Sequence, residues 1–120
     1  MSKRTYHPDR GDLIELNFFP AAGTEIDKRR PAVVISPAEY NRKTGLCIAV
    51  PLTTNLTPGP FWIPAPPGLT DRPSLILCDY IKSFDYRERG VTPLNRKVDR
   101  NTMDQIINCI MNIIDPVFGK

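Results

Sequence analysis

A chain of 120 residues with 41% hydrophobic and 24% charged residues makes one domain and excludes a disordered chain. Thirteen prolines, roughly twice the usual ~5%, exclude a helical bundle and call for many short strands with rigid corners. The net charge of +3 permits a phosphate-bearing partner without requiring one. The longest apolar run, Leu46 to Val50, is far short of the ~20 residues of a membrane helix. No apolar stretch opens the chain, so no signal peptide is expected. Cys47, Cys78 and Cys109 are odd in number and contain no CxxC pair. They read as reduced, mostly buried thiols of a cytosolic protein, not as a disulfide frame or a zinc site.

Residues 1–10 are polar and are expected to form a loose, flexible arm. Asp12 to Phe18 alternates Ile14, Leu16 and Phe18 with polar or outward positions, the period of a half-buried strand. Phe19 to Arg30 is long for a connection and reads as a functional loop. Ala32 to Ser36 reads as a buried strand, Asn41 to Gly45 as a turn, and Leu46 to Leu52 as a strand with Pro51 at an edge or bulge. Thr53 to Gly59 reads as loop, Phe61 to Pro64 as a short edge strand, and Pro66 to Pro73 as loop. Leu75 to Phe84 reads as one strand, and Gly90 to Arg100 as loop with room for one short strand. A helix over residues 102–114 follows from an apolar stripe at spacings of three and four, Met103 to Ile114. Asp99, Asn101 or Thr102 can cap it, and Pro116 stops it. The whole predicts a mainly β domain, a small, strongly bent barrel of five or six strands with the helix packed on it.

The residues limit the chemistry. His7 is the single histidine, is expected to be solvated, and has no partner at metal-ligand spacing. No Gly-rich phosphate loop and no nucleophile elbow occur. An enzyme built from this chain must work with arginine, threonine and carboxylates. Two places offer them: Glu25 to Pro31, where a carboxylate and three cations run into a buried strand, and Thr53-Thr54-Asn55 at a strand end. A guanidinium suits bidentate contact with phosphate. Taken singly, each place also reads as ordinary loop or turn.

In combination the motifs resemble a known family. GDLIELNF, then P-x-x-G-x-E at Pro20 to Glu25, RPAVVIS at Arg30 to Ser36, NRKTG at Asn41 to Gly45, and VPLTT at Val50 to Thr54 follow in order. With CDYIKSFDYRERG at Cys78 to Gly90 and the terminal helix, they resemble the MazF/PemK (Kid) family of toxins of toxin–antitoxin modules, the MazF branch above all. The likeness runs from about Gly11 to Ile114. It implies an SH3-like barrel of five to seven strands with a C-terminal helix, acting as a homodimer. It further implies a metal-independent endoribonuclease, without cofactor, that cuts single-stranded RNA and is inhibited by the disordered acidic tail of an antitoxin. By motif position, the catalytic residues it implies are Arg30, Thr53 and Glu25.

Cleavage by the RNA's own 2′-hydroxyl needs a base, charge stabilisation at phosphorus and a proton for the leaving oxygen. Around the catalytic residues, aromatic and polar side chains are expected to hold unpaired bases. The candidates for RNA contact are Asn17, Phe18, Lys28, Arg29, Thr54, Asn55, Asp79, Lys82 and Arg87. Asp79 and Lys82 are expected on one strand and one side. Asn17, Phe19, Lys28-Arg29, Asn55 and the proline-rich stretch 64–73 depart from the family pattern, and all lie near the expected RNA face. Two other readings remain open: a toxin of the same fold that binds a protein target, as gyrase poisons do, and a non-catalytic SH3-like binding module.

Overall fold

The computed structural model describes residues 6–17 and 29–117. Strands β1 (Asp12–Leu16), β2 (Arg30–Val34), β3 (Leu46–Thr53), β4 (Trp62–Pro64), β5 (Leu75–Leu77), β6 (Lys82–Asp85) and β7 (Thr92–Lys97) form one seven-stranded antiparallel sheet. Helix α1 (Ala38–Thr44) joins β2 to β3, and α2 (Arg100–Ile114) ends the chain. The sheet order is β4-β5-β3-β2-β1-β7, with β6 also on β3. Among the described residues the sheet bends without closing on itself.

Both faces of the central strands are buried, which is why Leu13 and Ile14, adjacent in β1, are each almost wholly enclosed. Leu13, Val33, Val50 and Leu52 face one cluster, sealed by Met103, Ile106 and Ile110 of α2. Ile14, Leu16, Ala32, Val34, Cys47 and Ala49 face the other, sealed by Phe84 and Tyr86. The apolar stripe read from the sequence is the stripe that α2 buries.

Asp99, not Thr102, caps α2: its carboxylate accepts the Thr102 amide at 2.9 Å. The Thr102 side chain and amide hold this carboxyl below its ordinary value of 3.8. A depressed folded value means that the cap is complete above pH 3.8 and is lost as pH falls through the lowered value. Acid titration followed at the Thr102 amide resonance should therefore show α2 fraying at its first turn below that pH. Asp99→Ala should remove the transition.

Several elements depart from the sequence reading. The single strand expected over Leu75 to Phe84 is two strands separated by a 3₁₀ turn, Cys78–Tyr80. Leu52 lies opposite Ile76 and Ala49 opposite Lys82, so three residues back along β3 correspond to six along this segment. The turn absorbs the excess, and Pro51, which has no N–H to give, lies between the two sets of pairs. Asp79 therefore sits in the turn and Lys82 on β6. Three apart, they would in any case point to opposite sides of a strand.

Asn41 to Gly45 is no isolated turn but the end of α1, closed by Gly45 at φ 74°, whose amide bonds the Asn41 carbonyl at 2.9 Å. Gly90 to Arg100 is mostly the six-residue edge strand β7. Residues 6–10 are no loose arm. Pro8 is fully buried, and the Tyr6 hydroxyl donates to Asp12 at 2.7 Å. His7 is not simply solvated either: its Nδ1 lies 2.8 Å from the Tyr86 hydroxyl, with the two rings edge to face.

Candidate functional site

Arg30 opens β2, an inner strand, and is paired with Leu16 of β1 on one side. On the other side β2 runs against β3 with Ala32 opposite Pro51. Two further steps in that register set Arg30 opposite Thr53. Residues opposite each other on neighbouring strands face the same side. The two side chains named by separate motifs, 23 positions apart in the chain, thus emerge together at one open end of the sheet.

A cleft of about 410 Å³ lies there, lined by Arg29, Arg30, Thr53, Thr54, Asn55 and Ser74 with Pro31 and Leu52. Thr53 Oγ1 accepts the Asn55 amide at 3.1 Å, and Asn55 Oδ1 accepts the amide and hydroxyl of Thr57. The Thr53 hydroxyl serves that turn as acceptor, and among the described residues its proton has no acceptor, which leaves it to be donated into the cleft. The partly exposed Arg30 guanidinium has no hydrogen-bond or ion-pair partner among the described residues. Its five donors and permanent charge are available to an anion.

No histidine, cysteine, aspartate or glutamate is among the described residues lining the cleft. Among the described residues no three such side chains group to hold a metal ion. Glu25, Phe18 and Lys28, expected as base and RNA contacts, lie outside the described residues. Burial pushes the Cys47 thiol up to about 12 and raises Cys78 as well, so neither is a ready thiolate.

The remaining expected contacts divide. Thr54 and Asn55 line the cleft and are exposed. Arg29 also borders it, but its guanidinium is tied to protein: Nη2 donates to the carbonyls of Glu15 (2.8 Å) and Gly90 (3.1 Å) and to Thr92 Oγ1 (3.0 Å), and Nε to Glu15 Oε1 (3.4 Å). The Asn17 carbonyl accepts Arg89 Nη1 at 3.1 Å. Asp79, Lys82 and Arg87 are not brought to the cleft. Asp79 accepts the Trp62 indole N–H at 2.8 Å. Lys82 lies on β6 opposite Ala49, four residues along β3 from Thr53. The Arg87 guanidinium lies 5.6 Å from the Tyr86 ring centroid.

The sequence reading missed Ser74 and Arg72. A second cavity of about 310 Å³ shares Pro31, Thr54 and Ser74 with the cleft. A third, of about 520 Å³, shares Thr70, Asp71, Arg72 and Ser74 with the second. The three cavities thus adjoin one another from Arg30 to the proline-rich stretch, a segment that departs from the family pattern. No motif marks Ser74; only the length and proline content of its loop pointed there.

Comparison with known proteins bears on the fold first. The solved MazF of Deinococcus radiodurans is 35% identical, with a TM-score of 0.80 over 92% of this chain and 98% of that one. A MazE–MazF complex from the same organism gives 35% and 0.81 over 92% and 97%. The bent antiparallel sheet with its terminal helix is therefore the SH3-like fold of these toxins. The Endoribonuclease toxin MazF of Escherichia coli (strain K12) is 45% identical over 87 residues, 72% of this chain and 77% of that protein. Residues 9–114 match the family of PemK-like, MazF-like toxins of type II toxin–antitoxin systems, and the chain belongs to that family.

Proposed function

We propose that this protein is an endoribonuclease toxin that cuts single-stranded RNA, chiefly mRNA, at short sequences in the cytoplasm, and that a cognate antitoxin holds it inactive. One observation carries the reading: Arg30, which has no partner among the described residues, and Thr53, whose hydroxyl accepts a turn amide, line one cleft in a chain that belongs to a toxin family.

The reaction follows from those groups. The 2′-oxygen of the RNA attacks the adjacent phosphorus, and the bond from phosphorus to the 5′-oxygen breaks. The products are a 2′,3′-cyclic phosphate and a 5′-hydroxyl, and the nucleophile comes from the substrate, so no metal or protein nucleophile is required. Arg30 stabilises the charge that grows on the pentacoordinate phosphorus, and Thr53 donates to a non-bridging oxygen. Glu25 is assigned as the base that takes the 2′-hydroxyl proton. Thr54 and Asn55 present polar groups to a base or sugar beside the cut. The leaving 5′-oxygen takes its proton from solvent water, since no acid side chain is among the described residues lining the open cleft.

An acidic antitoxin tail suits the same cationic cleft, and the relative solved with MazE supports such a partner. The exposed apolar side chains Tyr80 on the 3₁₀ turn, Ile81 just after it and Ile114 at the end of α2 support a homodimer.

Thr53 tests the site directly. Thr53→Val keeps the shape of the side chain and removes the donor. It should slow cleavage of a long mixed-sequence RNA about 10²-fold. Thr53→Ser should keep most of the rate. Full activity in the valine variant would move the site elsewhere.

A further inference from the structure

We propose that Arg29 is a positioning residue, not an RNA contact: it clamps the mouth of the sheet so that Arg30 meets Thr53. The proposal rests on the nuclease reading for its effect on rate. It overturns the expectation that Arg29 binds a phosphate.

The geometry is specific. Arg29 immediately precedes β2, and its side chain crosses β1 to reach β7. One guanidinium joins three pieces of chain: Glu15 on β1 through both carbonyl and carboxylate, the Gly90 carbonyl in the turn before β7, and the Thr92 hydroxyl on β7. Glu15 and Thr92 are themselves paired across β1 and β7. The fork therefore ties the start of β2 to the end of β1, where Leu16 pairs with Arg30, and to the start of β7. From the same turn, Arg89 reaches back to the Asn17 carbonyl at 3.1 Å, just past the end of β1. The Arg29 bonds include two to backbone carbonyls, which a phosphate ligand would have to displace.

Two neighbouring arginines thus divide the work. Arg29 is committed to protein acceptors, and Arg30, one residue on, has none among the described residues. A guanidinium planted in carbonyls fixes the backbone, and a fixed backbone holds the free guanidinium in place. Displacing a reacting group by as little as 1 Å can cost about 10²-fold in rate.

Arg29→Lys separates the two roles, because lysine keeps the charge and loses the planar fork. The experiment measures kcat, KM and the salt dependence of RNA binding for the wild type, Arg29→Lys, Arg29→Ala and Arg42→Ala. Arg42, exposed on α1, is the charge control. Binding is read with an oligonucleotide carrying 2′-deoxy sugars, which cannot be cut. Amide hydrogen exchange at Leu16 and Arg30 is followed in the same proteins without RNA.

The clamp predicts that lysine and alanine variants alike lose about 10–10²-fold in kcat, keep the wild-type salt slope, and exchange those amides faster. A phosphate contact predicts a lysine variant near wild type and an alanine variant whose salt slope falls by about 0.7; that result overturns the proposal. If the wild type cuts no RNA, the nuclease reading fails by itself. The exchange data then still decide the clamp: unchanged protection in both variants refutes it, and lost protection in both supports it.

Discussion

Replacing Arg30 with alanine should lower RNA cleavage by about 10³-fold or more while the protein stays folded. The size follows from the chemistry. Charge accumulates on phosphate oxygens in the transition state, and Arg30 is the one cleft cation whose guanidinium is uncommitted among the described residues. The intact fold follows from the same fact, since removing this partly exposed side chain leaves no buried group unsatisfied among the described residues. Arg30→Lys should fall between, keeping the charge but losing the two-pronged contact. Initial rates on a long RNA, measured beside thermal unfolding, check both halves. An alanine variant that still cleaves at the wild-type rate would remove Arg30 from the chemistry. One that unfolds would assign it to structure.

The second large effect is on stability. Asn41 is fully buried in α1, with its amide donating to the carbonyls of Pro8 (2.7 Å) and Ser36 (3.1 Å) and its Oδ1 accepting the Ser36 hydroxyl (2.6 Å). Ser36 in turn accepts the Ile48 amide, and the Tyr86 hydroxyl donates to the Asn41 carbonyl. The Asn41 side chain thus joins the N-terminal segment to Ser36 just past β2, and the Ser36 hydroxyl carries the link to β3. Asn41→Leu keeps the volume and strands these polar groups. Each buried group left unsatisfied costs ~1–3 kcal/mol, so a loss of about 3 kcal/mol or more is expected. Denaturant unfolding should show it as a lower midpoint with the slope retained. A variant within about 0.5 kcal/mol of wild type would mean that water or rearrangement replaces the network.

Asn41 also shows what the sequence could and could not convey. NRKTG carries every mark of a turn, and the turn is there at Gly45. That its first residue is a core polar hub depends on Pro8 and Ser36, and no local pattern reports contacts 33 positions apart. β7 was hard to see for a different reason. It is an edge strand with Pro93 inside it and Asn95 at φ 58°, so its residues do not alternate. The break at Cys78–Tyr80 is set by register against β3, which is a property of two strands and not of one.

The inner strands and α2 were legible because burial on both faces, or on one helical stripe, imposes a composition. The candidate site was legible only in combination: Arg30 and Thr53 each stand at a strand end that alone reads as loop or turn, and the order of the motifs singled them out. Ser74 and Arg72 belong to a loop whose position follows from packing. The bonds of Arg29 to Glu15, Gly90 and Thr92 were not legible, because charge alone does not tell whether a guanidinium meets a ligand or its own backbone.

The most direct measurement is a cleavage assay on a long, mixed-sequence RNA in EDTA, with antitoxin-free protein and the fragment ends mapped chemically. Discrete cuts that leave 2′,3′-cyclic phosphate and 5′-hydroxyl ends are expected, lost in Arg30→Ala and suppressed by the cognate antitoxin. Intact RNA, or fragments ending in a 5′-phosphate, from folded protein would contradict the reading built on Arg30 and Thr53.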